Sequence, residues 1–296
     1  MRPTDSLEFP HAQPPEPGTV LQVAPGIHWL RLPLPFTLDH INLWLMEDGA
    51  GWTLVDTGLG NRATRDLWKS CFDTVLAGKP IQRIVVTHYH PDHAGNAAWL
   101  CERFNATLWM TRGEFLTVHS VLHGVASFSA AASSALFRAN GIEPAMAAAL
   151  NARGDLYSKL VPAFPAQHRR LMEGTRVTLG GQEWRVIIGH GHAPEHASLY
   201  CERSNVLISG DMLLPRISTN VAVRPIDPMA DPLGQFLTSI RRYRELPEDV
   251  LVLPSHGMPF RGAHTRVAQL EAHHAERLEA LVKACAETPK SAADLL

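Results

Sequence analysis

No long apolar run, no surplus of either charge and no paired cysteines occur in this chain, and each absence removes a class of function. Nowhere in the 296 residues does an apolar stretch approach the ~18 that a membrane helix needs, so no membrane partner is expected. Lys and Arg number 27 against 29 Asp and Glu, a formal net charge of −2, which gives no basic surface for nucleic acid. Cys71, Cys101, Cys201 and Cys285 are scattered, without the spacing of a disulfide framework or a zinc knuckle. They read as small buried apolar residues, which fits a cytoplasmic setting. Segment 1–19 is polar, carries five prolines and lacks the apolar core of an export signal, so it reads as an extended arm.

What is present is a hydrophobic content of 45%, enough for a full core, and 16 histidines, well above a chance share. The length allows one large α/β domain or two modest ones. His28, His40, His119, His123, His168, His264 and His273 lie outside the motifs below, and surface or packing roles are the default for them.

The densest motif is His88-Tyr89-His90-Pro91-Asp92-His93. It follows Ile84-Val85-Val86-Thr87, an apolar run that reads as a buried strand. Side chains alternate along a strand, so His88 and His90 point the same way. Pro91 suits the first position of a helix, and that turn swings Asp92 and His93 to the other side of one pocket. Two imidazoles facing a carboxylate and a third imidazole suit two divalent cations rather than one.

This motif resembles the defining element of the metallo-β-lactamase-fold hydrolases. The resemblance asks for three further ligands in order: a His after a Gly, an Asp after a later strand, and a His near the C-terminal end. His190-Gly191-His192-Ala193-Pro194-Glu195-His196 supplies the first, with His192 as ligand, His190 as runner-up and His196 as a pocket or supporting residue. Strand-like Asn205–Gly210 ends at Asp211, which matches the family's bridging carboxylate, and Val250–Ser255 delivers His256. Upstream, Thr53-Leu54-Val55-Asp56 ends in the carboxylate that the family buries beneath the metals, where it orients the His-rich loop. The implied set is His88, His90 and His192 on one ion, Asp92, His93 and His256 on the other, and Asp211 between. Imidazole and carboxylate ligands suit two Zn2+ ions, and also Fe or Mn.

The pattern predicts an antiparallel meander over 20–57, with Asp48-Gly49 in its last turn. A helix over 62–76, a strand at 81–86, a helix over 94–104 and a strand at 107–111 follow. Strands near 176–188, 198–202 and 205–209, a helix near 231–246, a strand at 250–254 and a long helix over 264–287 complete the second half. This is an α/β chain, and the resemblance names it an αββα sandwich of two mixed sheets spanning 20–287. Between the halves, 113–165 is Ala-rich and helical in pattern, with Phe115, Leu116, Leu122, Phe128, Leu136, Phe137, Met146, Leu150, Leu156, Leu160 and Phe164. There the family places variable insertions. A lid over an apolar substrate pocket stands against extra core or a homodimer contact, which periodicity does not separate. In 288–296, Ser291 and Asp294 have capping-box spacing, and the segment resembles the stub of a winged-helix unit.

The resemblance implies hydrolysis by a hydroxide shared between two metals, with Asp92 relaying the proton and His196 or Tyr89 as candidates to orient the substrate. Hydroxyacylglutathione hydrolases and lactonases resemble this core, the latter through Ala94-Gly95, although basic residues that would hold glutathione are not evident. The expected substrate is a small molecule, a thioester, ester or lactone with an apolar acyl part. Four alternatives remain: a mononuclear-iron oxidoreductase of the persulfide dioxygenase type, a phosphodiesterase or nuclease, a β-lactamase, and a non-enzymatic binding protein.

Overall fold

The computed structural model describes residues 6–152, 154 and 156–295, and of Leu150 the backbone alone. Its strands are β1 (Val20–Ala24), β2 (Ile27–Pro33), β3 (His40–Asp48), β4 (Gly51–Val55), β5 (Ile81–Val85), β6 (Thr107–Thr111), β7 (Arg169–Leu171), β8 (Arg176–Leu179), β9 (Gln182–Gly189), β10 (His196–Cys201), β11 (Val206–Gly210) and β12 (Leu251–Pro254). The helices are α1 (Arg62–Thr74), α2 (Pro91–Ala94), α3 (Ala97–Phe104), α4 (Arg112–Leu122), α5 (Ala130–Ala139), α6 (Pro144–Ala152), α7 (Tyr157–Leu160), α8 (Pro232–Arg241) and α9 (Ala263–Ala284). None of the described helices is long and apolar enough to cross a membrane.

Two mixed sheets form. One runs β1 to β7 in sequence order, antiparallel up to β4 and parallel from β4 to β7. The other is ordered β12-β11-β10-β9-β8, with β11 and β12 parallel. Strand alternation makes the layers. On β3, Leu43 and Leu45 face α1, α3 and α4, whereas Trp44 and Met46 face the second sheet. Trp29, Trp44, Val55 and Val85 meet Trp184, Val186, Leu199 and Ile208 between the sheets. Leu207 and Val252 turn outward onto Phe236, Val267 and Leu270 of α8 and α9. The result is the αββα sandwich that the motifs implied.

Several boundaries differ from the pattern. The turn between β3 and β4 is Gly49-Ala50, because Asp48 still pairs with Gly51. The helix expected over 94–104 breaks at Gly95-Asn96. There the Asn96 side chain donates to the Leu59 carbonyl at 2.6 Å, and a Cβ on Gly95 would meet Gly60 and Gly58. Strand β7, Arg-Arg-Leu at a sheet edge, shows no alternation that a sequence reading could detect. The insertion divides in two. Phe115 and Val118 of α4 are buried in the first core, while α5 and α6 pair with each other and α5 buries no residue. Beyond residues 1–5, which lie outside the described region, the arm docks on the body by a two-way backbone bridge between Glu8 and Arg261. At the other end the Asp294 carboxylate accepts from Ser291 N–H at 2.8 Å, so the capping box forms, and Ala293 N–H donates to Asn140 of the insertion.

Candidate metal centre

The expected ligands lie just past the C-terminal ends of β5, β9, β11 and β12, and these ends converge. His88, His90, His192 and Asp211 bring one donor atom each into a single cluster, and Asp92, His93 and His256 form a second. In the first, His88 Nε2 lies 2.8 Å from His90 Nδ1 and 3.1 Å from His192 Nε2, and Asp211 Oδ2 is 3.3 Å from His192 Nε2. In the second, Asp92 Oδ2 is 3.5 Å from His93 Nε2 and 3.4 Å from His256 Nε2. Asp211 reaches both: its Oδ1 is 3.5 Å from His93 Nε2 and 3.4 Å from His256 Nε2. His190 is turned away, its Nδ1 against the Pro194 carbonyl at 2.7 Å.

The donor set fits cations on two counts. His93 Nε2, His256 Nε2 and Asp211 Oδ1 are buried and find no hydrogen-bond partner among the described residues, yet they face one point. A buried polar atom without a partner is costly, and three aimed together call for a shared ligand. Ligand edges near 3.4 Å also match the ~3.3–3.4 Å edge of a tetrahedron with bonds of about 2.0–2.1 Å. Electrostatics agree. Burial, reinforced by neighbouring imidazoles, holds His88 and His90 well below the usual imidazole range, so they offer lone pairs. At the second cluster burial opposes the charge of His93, but Asp56, Asp92 and Asp211 outweigh it and push it up to about 10. His256 is raised for the same reason, burial again losing to Asp211 and Asp92. Positive charge belongs at that point.

The backing of these side chains follows from local sequence. Asp56 ends β4 with a φ of 62°, a left-handed turn that Asp tolerates better than most residues. The turn places its carboxylate 2.8 Å from His93 Nδ1, where it also accepts from Thr87 N–H at 2.8 Å. His88 Nδ1 lies 3.1 Å from Thr87 Oγ1 and His192 Nδ1 2.7 Å from the Asn220 carbonyl. His196 Nε2 accepts from Asp211 N–H at 3.1 Å, and burial drives this imidazole down to about 3, keeping it neutral. It holds the backbone of Asp211 from behind. Gly191 has φ 97°, and a Cβ there would collide with Pro232 and Phe236 of α8, so the loop needs glycine.

Three contributors escaped the sequence reading. His40, assigned by default to surface or packing, instead braces the His256 loop. Its carbonyl lies 2.7 Å from His256 Nδ1, and its Nε2 accepts from Gly257 N–H at 2.7 Å. Glu114, fully buried on α4, accepts from Tyr89 N–H at 2.9 Å and Glu195 N–H at 2.6 Å, so one carboxylate grips both loops of the first cluster. Its signal was a lone acid heading an apolar helix. Arg224 places Nη2 3.5 Å from His90 Nε2 and carries no local sequence signal. Beside the first cluster opens a cavity of about 360 Å³ walled by Tyr89, Thr117, Phe128, His192, Ala222 and Ile226, with Arg224 at its edge.

Comparison with known proteins agrees with this architecture. A Beta-lactamase domain protein from Burkholderia ambifaria superposes with a TM-score of 0.88 and 49% identity, covering 97% of this chain and 86% of that one. The Probable metallo-hydrolase YqjP of Bacillus subtilis (strain 168) is 25% identical over 89% of this chain and 81% of its own. Acyl-coenzyme A thioesterase MBLAC2 of Gallus gallus is 24% identical over 78% of this chain and 77% of its own. The family model for the metallo-beta-lactamase superfamily matches residues 36–256, a span that contains every proposed ligand. The chain belongs to the metallo-beta-lactamase superfamily.

Proposed function

We propose that the chain is a dinuclear metal-dependent hydrolase of thioesters or esters with an apolar acyl part. The observation that carries this reading is the contact between the first ligand cluster and the apolar cavity, which share His192. A relative named as an acyl-coenzyme A thioesterase supports the bond type. Two bound divalent ions, of zinc, iron or manganese, would supply Lewis acidity and a water whose pKa falls from 15.7 toward roughly 7.

The chain's own groups do the rest. Asp211 turns one oxygen to each cluster and so fixes their separation. Asp92 is the more exposed of the two clustered carboxylates, which supports it as the group that takes the proton released by the attacking water. Phe128 and Ile226 shed water around the acyl chain and hold it beside the first cluster. Tyr89 lines the same cavity and is a candidate to orient the substrate.

Kinetics on acyl thioesters, acyl esters, lactones, phosphodiesters, β-lactams and persulfides, with metal content counted on the same sample, test the reading. Thioester or ester turnover with two ions per chain is expected. Each added methylene should raise kcat/KM about fourfold until the cavity is full, from roughly 0.8 kcal/mol per buried CH2. Turnover confined to phosphodiesters or β-lactams, or one iron per chain with oxygen uptake, would overturn it.

A further inference from the structure

Each histidine of the two clusters must offer one nitrogen to a cation and dispose of the N–H on the other. Four do so onto an acceptor built into the fold: His88 onto Thr87 Oγ1, His93 onto Asp56, His192 onto the Asn220 carbonyl and His256 onto the His40 carbonyl. Such outer partners fix the tautomer of a ligating imidazole. His90 is different. Its Nδ1 is the atom in the cluster, 2.8 Å from His88 Nε2, so in the ligating tautomer its Nε2 carries the proton. What faces that Nε2, at 3.5 Å, is Arg224 Nη2, which is also a donor. Two donors thus converge with no acceptor between them, at the edge of the apolar cavity. Arg224 is exposed and takes part in no ion pair among the described residues. Asp227, the acid on the same wall, meets Arg224 through the backbone, its N–H donating to the Arg224 carbonyl at 3.0 Å.

We propose that Arg224 and the outward N–H of His90 form an oxyanion subsite beside the first metal position. The substrate is then an amphipathic anion, with an apolar chain for the cavity and a carboxylate or phosphate-type group close to the bond that is cleaved. This deepens the hydrolase reading and rests on it. Guanidinium suits such a group because its planar fork gives two parallel hydrogen bonds to one oxyanion. A neutral ester would leave both donors facing each other.

Two measurements test it. In calorimetry on metal-free and metal-loaded protein, octanoate and octyl phosphate should each bind at least about tenfold more weakly to Arg224→Gln than to wild type, as loss of a charge-assisted bond predicts. The tighter of the two names the oxyanion. Octanol controls for the apolar contribution, and Arg224→Lys, which keeps the charge without the fork, should fall between. In kinetics, the ratio of kcat/KM for S-octanoyl-3-mercaptopropionate over S-octanoyl-2-mercaptoethanol should be about 10–100 in wild type and approach 1 in Arg224→Gln. A ratio near 1 in wild type, with both thioesters turned over, refutes the subsite and leaves the hydrolase standing. Anion binding that depends on Arg224 without turnover of any thioester or ester supports the subsite and refutes the hydrolase. Equal loss of octanoate and octanol binding in Arg224→Gln refutes the subsite, since the residue would then be serving shape alone.

Discussion

The two ligand clusters are built from the same side chains but braced differently. Behind the second, a buried carboxylate touches a ligand directly: Asp56 holds His93, and the His40 carbonyl holds His256. Behind the first, the buried carboxylate touches no ligand. Glu114 takes the N–H of Tyr89, between His88 and His90, and the N–H of Glu195, between His192 and His196. Glu195 returns the contact by accepting from Gly113 N–H at 2.8 Å. Both clusters have imidazoles held atom by atom, His88 by Thr87 and His192 by the Asn220 carbonyl in the first. Only the first is also clasped through the backbone of its two loops by a buried carboxylate, on the side where the cavity lies.

The largest effect should come from the residue that joins the clusters. Asp211→Ala removes an oxygen from each, and we expect the loss of at least one ion per chain, with kcat/KM falling by more than the ~10–100-fold typical of outer partners. Elemental analysis beside kinetics checks this, and retention of both ions would mean that the bridge is misassigned. Next comes Asp56→Asn. It should weaken binding of the second-cluster ion about 10–100-fold. The first-cluster ion should suffer less, since Asp56 reaches His88 only through the Thr87 hydroxyl. Glu114→Gln should invert that order. An amide has one oxygen where two N–H groups wait, so the first-cluster ion should weaken about tenfold. Chelator competition with Co2+, read by its visible absorption, resolves two steps of binding. Equal losses at both steps in either variant would dissolve the contrast between the clusters.

Much of this contrast was legible in the sequence only on one side. The seven clustered side chains all follow apolar strands, so strand alternation and a fixed motif order marked them out as candidates, and Asp56 was marked in the same way. The family pattern favoured His192 over His190, and the structure places His192 in the first cluster while His190 bonds back to its own loop. His40 lies 216 positions from His256, and Glu114 lies 81 from Glu195, so no local pattern ties either pair. The insertion shows the same limit. Its apolar spacing did not say whether it was core or cover; in the fold Phe115 lies in the first core and Phe128 lines the cavity. Pairings that depend on how distant loops pack carry no periodicity to read.

The smallest effect, and the finest test of the clasp, is its dependence on pH. Burial pushes Glu114 up to about 8 although the N–H groups of Glu195 and Tyr89 pull it down; the nearby Glu195 carboxylate adds to the rise and His93 opposes it. A carboxyl raised in the folded state favours folding while it is protonated, below its unfolded value, and that contribution is lost as pH climbs through the folded value. In the metal-free protein, therefore, wild type should lose stability relative to Glu114→Gln between about pH 4.5 and 8, because glutamine never charges. The difference in Tm between the two should drift in favour of the variant across that window, and then level. Bound cations would stabilise the carboxylate and move the window to lower pH. A difference in Tm that stays flat from pH 4.5 to 8 in the metal-free protein would place Glu114 outside the titrating groups. The clasp would then hold an ionised carboxylate across the whole window.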